Sequence, residues 1–266
     1  MMLTKEELVR AIRSMGLKHD DTVAVHASLR ALGPVEGGAD ALIDALKEVL
    51  CDGLFIIPTH TWDRSPRIWP YFDSRLDVPC TGALSRVAAF RKDGVRSLHP
   101  SHSVAAFGKG AAAFVAGEQF MRSPCDPRGV TGKFVEAGGK VLLIGVDQRS
   151  DTFIHGAEEI MDVPNRLLSH PLTVTVTGPD GKVYVNSDFH RHYRPVSSFY
   201  WKFNEPFEAL GAVQLYPLGD TMARVCDCRQ MLAIMRFIRE RADRDVYEDN
   251  EPFPAAWWED YGQENN

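Results

Sequence analysis

The chain has no run of about 18 apolar residues, so no helical membrane span is expected. Its start, "MMLTKEELVRAIRSMG", lacks the apolar core of a signal peptide, and the cytoplasm is the expected location. Cysteine is sparse: Cys51, Cys80, Cys125, Cys226 and Cys228 are an odd five with no C-x-x-C pair. That pattern fits neither a disulfide framework nor a thiolate zinc site, and reduced thiols are expected. Positive charge is not in excess either. Lys and Arg number 30 against 36 Asp and Glu, a formal net charge of −6, which argues against nucleic acid or an anionic membrane as partner. Neither G-x-G-x-x-G nor G-x-x-x-x-G-K-[ST] occurs, so a dinucleotide or Walker site lacks its fingerprint.

What is there is an ordinary globular composition, 44% hydrophobic and 25% charged over 266 residues, enough for one large domain spanning 1–266. A capping box at Thr4 and Glu7 predicts a first helix to about Gly16. Strands are predicted at 21–25 and 53–59 around a helix over 39–50. "TGALSRVAAFRK", "GAAAFVAGEQF" and "VTGKFVEAGG" predict helices, "HSVAAFG" a strand, and "KVLLIGV" (140–146) a fully buried strand. This alternation predicts an α/β fold with a central, largely parallel sheet covered by helices on both faces. A smaller antiparallel portion follows, because "HPLTVTVTGPDGKVYVNS" is two alternating runs around Pro-Asp-Gly. A helical stretch near 197–210, two strands in "GAVQLYPLGDTMARVCD" and a last helix capped by Asp227 complete the pattern. The acidic, Trp-rich tail 245–266 is expected to be a packed lid or a homodimer contact, with its last five residues mobile.

In "VAVHASLRALGPVEGGADALIDAL" a buried strand stops at His26 and small hydroxyl residues lead toward a helix. Loops at the carboxyl ends of parallel strands are where α/β proteins bind ligands. A turn into helix here would aim the Ser28, Leu29 and Arg30 N–H groups at one spot, suited to a phosphate. A plain polar connection has the same local sequence, and this segment alone leaves both open.

Several long stretches then occur together in one order: "VHASLRALGPVEGGADALIDAL", "HPSHSVAAFG", "SPCDPRG", "GGKVLLIGV" and "DTFIHGAEEIMDVPNR". In motifs and spacing the chain resembles the aminoglycoside 3-N-acetyltransferase family over roughly residues 4–240. The resemblance implies that family's α/β fold, distinct from the GNAT fold, and acetyl-CoA as cosubstrate. It implies cofactor contacts from His26, Ser28, Leu29, Arg30, His99, Ser103, Val104 and Thr152. It also implies acetyl transfer to the 3-amino group of 2-deoxystreptamine aminoglycosides, hence antibiotic resistance. The same chemistry on another amine, or a non-catalytic CoA-binding homologue, are the alternatives.

An amine attacks a thioester only once it has lost its proton, so a base is required. On a helix, His155 lies on one face with Glu158 and Glu159. By the family's motif His155 is the base and Glu158 its carboxylate partner, expected to raise the imidazole's pKa. Backbone donors near Ser103 and Val104, or the Thr152 hydroxyl, are candidates for the oxyanion. No metal is expected: "HPSH" and "HRH" are incomplete ligand sets. A small cationic acceptor calls for acids, and Asp63, Glu159 and Asp188 are the expected substrate ligands, with 60–80 as a substrate-site loop. His190 stands where the family carries a second carboxylate after Asp188, which lowers the negative charge there.

Overall fold

The computed structural model describes residues 2–264 apart from 65, 67 and 194. Among the described residues ten strands form two sheets: β1 (Thr22–Ala27), β2 (Leu54–Pro58), β3 (Tyr71–Asp73), β4 (Val95–Arg96), β5 (Val104–Gly108), β6 (Lys140–Ile144), β7 (Leu172–Thr177), β8 (Val183–Phe189), β9 (Val213–Leu218) and β10 (Thr221–Asp227). The larger sheet has the order β4-β5-β2-β1-β6-β10-β9 and the smaller β3-β7-β8. In the larger, β2, β1 and β6 are parallel neighbours, whereas β5 and β10 each run against both strands beside them. Five of the seven strands therefore point one way, as expected of a largely parallel sheet. The smaller sheet is the expected β7–β8 hairpin with β3 added in parallel at its edge.

The helices are α1 (Lys5–Ser14), α2 (Leu29–Leu32), α3 (Gly38–Val49), α4 (Ala83–Ala88), α5 (Ala111–Phe114), α6 (Val130–Glu136), α7 (Thr152–Ile160), α8 (Asn204–Ala209), α9 (Cys228–Arg241) and α10 (Tyr261–Glu264). Thr4 and Glu7 make the capping box of α1, and the Asp227 carboxylate accepts from the Arg229 and Gln230 N–H groups to start α9. The single helix predicted over "GAAAFVAGEQF" is instead α5 followed by a 3₁₀ turn, Glu118–Phe120. Gly117 at φ 87 separates them, a left-handed residue that no helix interior accommodates.

Alternate residues of the central strands face opposite cores. Val23, Val25, Phe55, Ile57, Leu142 and Ile144 pack beneath α1, α3 and α4. Ala24, Ile56, Val141 and Leu143 pack beneath α7, α9 and the C-terminal segment. Continuous apolar runs such as "KVLLIGV" are what a strand buried on both faces requires. The sheet also needs close approach at its carboxyl end. Gly145 has φ +64, and a Cβ there would lie 2.6 Å from that of Ala31, so glycine lets the first turn after β1 sit against the end of β6.

The tail belongs to this core. Val246, Tyr247, Phe253, Trp257 and Trp258 are buried with α9 and residues 200–207, and the nearly buried Lys202 ammonium donates to the Val246 and Asp249 carbonyls. Its tryptophans are buried within the chain, as a packed segment requires. Of the last five residues, α10 takes in 262–264, and 265–266 lie outside the described residues. Replacing Trp257 by Ala is expected to lower unfolding free energy by roughly 3–5 kcal/mol in a urea titration. A change under about 1 kcal/mol would mean that the segment is not docked in solution.

Candidate active site

The carboxyl ends of the three parallel strands open into a cleft of about 830 Å³. Val25, His26 and Ala27 come from β1, Pro58 and His60 from the end of β2, and Val146 follows β6. Opposite them stand Asp151, Thr152 and His155 at the start of α7, and Arg191, His192 and Tyr193 from the segment after β8. Trp62 and Pro66 of the predicted substrate loop border the same space. That segment is not loop throughout, since residues 71–73 are the edge strand β3.

His155 is one turn into α7, whose start is set by Asp151 accepting from the Phe153 N–H. Gly156 has a reason to be glycine: a Cβ there would come within 2.6 Å of Thr131 Cγ2, so α7 seats closely on α6 and holds His155 in depth. The expected partner, Glu158, is 3.7 Å from His155 Nδ1, beyond a hydrogen bond. Tyr200 stands between them. Its hydroxyl is 2.6 Å from His155 Nδ1 and donates to Glu158 Oε2 at 2.8 Å. A hydroxyl has one proton. Because it goes to the carboxylate, His155 donates from Nδ1–H to the tyrosine oxygen, and its Nε2 is the unprotonated nitrogen.

Glu158 is held by more than this tyrosine. Arg166 donates to Oε2 from Nε at 2.8 Å, and the Tyr247 hydroxyl of the tail donates to Oε1. Burial pushes the Glu158 carboxyl up, but its hydrogen bonds and the Arg166 charge outweigh that and hold it at about 2. Glu158 pulls the His155 pKa up, as expected, but does not set it. Burial, then the neighbouring His192 ring, bring it down to about 4, against which the pull of Glu158 is the smaller effect. At neutral pH the ring is therefore a neutral base with an ionised carboxylate one hydroxyl away. Tyr200, Arg166 and Tyr247 carried no sequence signal, because they are 42, 8 and 89 positions from Glu158.

The other expected residues divide. His26 and Thr152 line the cleft. Ser28 caps α2 through its side chain, but its N–H donates to the Ile144 carbonyl, so it is not one of the free donors expected there. Only Leu29 and Arg30, the first residues of α2, keep N–H groups without a partner among the described residues. His99 spends Nε2 on the Ser123 carbonyl and Nδ1 on the Ser101 and His102 N–H groups, leaving no ring nitrogen for a cofactor. Ser103 donates to the Thr59 carbonyl, and the Val104 N–H is taken by Ser97 Oγ, which removes it as an oxyanion donor. The first ties the start of β5 to the end of β2, and the second ties it to the residue after β4. Thr152, one turn before His155, remains for that role.

The acids divide too. Glu159 points inward, not at a substrate: it accepts from Ser123 Oγ, the Cys125 N–H and His192 Nε2. Asp188 is exposed on β8, paired with Arg122 at 2.6 Å and His190 at 3.3 Å, and is not among the cleft residues. Asp63 is exposed beside Trp62. Among the described residues that line the cleft, Asp151 is the one carboxylate, against the imidazoles of His26, His60, His102, His155 and His192. The five cysteines are free, as expected. No helix among the described residues is long and apolar enough to cross a membrane.

Replacing Tyr200 by Phe keeps the ring and removes the bridge. Losing a hydrogen bond to a charged network costs about 1.5–3 kcal/mol, so turnover is expected to fall roughly 10- to 100-fold with cosubstrate affinity unchanged. Unaltered turnover would show that His155 and Glu158 work without the bridge.

A neutral imidazole, backed by tyrosine and carboxylate at the carboxyl ends of parallel strands, defines an α/β enzyme built for general-base chemistry. The comparisons give the family. A family model described as aminoglycoside 3-N-acetyltransferase matches residues 24–240, and the chain belongs to that family. Aminoglycoside N(3)-acetyltransferase III of Serratia marcescens is 34% identical over 200 residues, 68% of this chain and 73% of the relative. Its namesake from Salmonella sp is 33% identical over 62% of this chain, so that the match spans just 63% of that relative's length. Among solved structures, aminoglycoside acetyltransferase AAC(3)-Xa superposes with a TM-score of 0.76 at 25% identity, covering 91% of this chain and 95% of that one. AAC-VIa bound to sisomicin gives 0.72 at 25% identity, over 92% and 100%.

Proposed function

We propose that this protein is an acetyl-CoA-dependent N-acetyltransferase acting on the 3-amino group of 2-deoxystreptamine aminoglycosides, and that it confers resistance to them. The observation that carries the reading is the His155–Tyr200–Glu158 chain at the cleft of a member of this family. His155 Nε2 takes a proton from the neutral acceptor amine as its nitrogen attacks the thioester carbonyl, so that the nitrogen enters the tetrahedral intermediate uncharged. The positive charge that forms on the ring is answered through the Tyr200 oxygen by the Glu158 carboxylate. Collapse of the tetrahedral intermediate expels CoA thiolate, to which the imidazolium returns the proton. The Thr152 hydroxyl is our assignment for the oxyanion donor. The cosubstrate arm is assigned to the strand end Val25–Ala27 and to the Leu29 and Arg30 N–H groups. A site of this size suits a cofactor arm and an acceptor together.

We assign residues 60–70 to the acceptor side, with Trp62 as a wall and Asp63 at the rim for an ammonium group. The relatives' names support the substrate, since they are N(3)-acetyltransferases, as does the sisomicin complex of AAC-VIa. Thiol release from acetyl-CoA, followed over a panel of aminoglycosides, tests the reading. Rapid release with 2-deoxystreptamine compounds, and a product acetylated at the 3-amino nitrogen by NMR, is the expected result. Release with other amines alone, or none despite CoA binding, would overturn it.

A further inference from the structure

An acceptor carrying several ammonium groups meets a cleft with five imidazoles and one carboxylate, Asp151, which is buried, with one oxygen capping α7 and the other without a partner among the described residues. Neutral nitrogens must therefore receive most of the ammonium N–H bonds inside. One of them is built for it. His192 lies after β8, and its ring stacks on His155 with centroids 4.5 Å apart and planes 27° from parallel. Its Nε2 is 3.1 Å from Glu159 Oε1.

Glu159 is fixed in turn. Its Oε1 also accepts from the Cys125 N–H at 3.0 Å, and Oε2 accepts from the Ser123 hydroxyl. A carboxylate holding three donors orients the imidazole so that Nε2 carries the hydrogen, as outer carboxylates do for working histidines. His192 Nδ1 is then a lone-pair acceptor, with no partner among the described residues. The groups around the ring are His155, Glu158, Glu159 and Arg166 from α7 and the segment after it, and His102 from the β4–β5 connection.

We propose that His192, held by Glu159, is a positioning residue for the acceptor amine: its Nδ1 accepts one N–H while His155 Nε2 removes another proton. An amine with two of its N–H bonds directed to two adjacent nitrogens presents its lone pair in one direction, toward the thioester. Glu159, expected from the sequence to touch substrate, acts through His192 instead. This rests on the acetyltransferase reading above, but its test fails separately.

His192→Phe keeps a ring against His155 and removes the acceptor, whereas His192→Asn restores an amide oxygen near the Nδ1 position. A neutral hydrogen bond is worth about 0.5–1.5 kcal/mol, so the Phe variant should lose up to about tenfold in kcat/KM for the acceptor. The Asn variant should recover most of this, and both should bind acetyl-CoA as the native protein does. In native protein labelled with ¹⁵N-histidine, long-range ¹H–¹⁵N spectra at pH 7 should show His192 protonated at Nε2 and bare at Nδ1. The His192→Asn spectrum gives the assignment. Activity of the Phe variant within twofold of native, or a proton on Nδ1, overturns the proposal whatever the variants' stability. If native protein acetylates no aminoglycoside, the function reading fails, while the tautomer still reports on the Glu159–His192 pair.

Discussion

His155→Ala should reduce acetyl transfer by roughly 100- to 10,000-fold, the range that a positioned base contributes. The residue makes one side-chain hydrogen bond among the described residues, and the ring that stacks on it, His192, keeps its own bond to Glu159 after the change. The His155 Nδ1 hydrogen bond goes to Tyr200, which still has Glu158 to bond to after the change. The Glu158–Arg166 pair, buried and 2.7 Å apart, is left whole, so the variant should fold and bind CoA like the native protein. Glu158→Gln is a poorer test, because removing one charge strands Arg166 in the interior at a cost of about 3–5 kcal/mol. Single-turnover thiol release, with CoA affinity by calorimetry, distinguishes lost chemistry from lost binding. Undiminished release by a folded His155→Ala protein would remove the imidazole from the mechanism.

The second large effect is on stability in acid. Burial lowers His26, His99, His155 and His192 to about 4, and holds His60 and His102 well below their ordinary value. The folded protein thus keeps these rings neutral where the unfolded chain, titrating near 6.5, takes up protons. Three buried carboxyls work the other way: burial raises Glu118 and Asp151 to about 7 and Glu159 to about 6. Six histidines against three carboxyls leave the unfolded state ahead by up to three protons near pH 5. Each is worth about 1.4 kcal/mol per pH unit. Stability is therefore constant near pH 7.5 and falls from about pH 6.5 downward, by at most about 4 kcal/mol per unit around pH 5. Water in the cleft reduces that figure for the partly exposed rings. Urea denaturation at pH 7.5, 6 and 5 measures it, and a flat profile to pH 5 would show that the rings titrate as if exposed. With the His155 pKa at about 4, activity lost between pH 6 and 5 reflects unfolding before it reflects protonation of the base.

Most of the architecture was legible because it rests on local rules. Apolar runs of strand length, a capping box at Thr4, Asp227 before an amphipathic run and Pro-Asp-Gly between alternating residues each specify an element from a few neighbours. The single helix drawn through Gly117 failed where one left-handed residue overrode a good helical composition. The candidate base was legible for a similar reason, since His155 and Glu158 are three apart on one helix. Their relation was not. The tyrosine that separates them comes from 197–203, the arginine from the turn after α7, and the second tyrosine from the tail, so none has a fixed spacing to α7.

Hydrophobic patterning and local caps thus settled by themselves the α/β layering and the order of most elements, while the motifs that resemble the family pointed to it and to the helix that carries the base. Folding in three dimensions decided which polar atoms remained available. His99, Val104 and Glu159 have side chains or N–H groups of the right kind for a site, but each is already satisfied by other residues of the fold, for His99 Nε2 and Glu159 by partners more than twenty positions away. A hydrogen bond between remote residues depends on where packing places both, and burial, which keeps the imidazoles of the cleft neutral, is a property of the assembled core and of no short stretch of sequence.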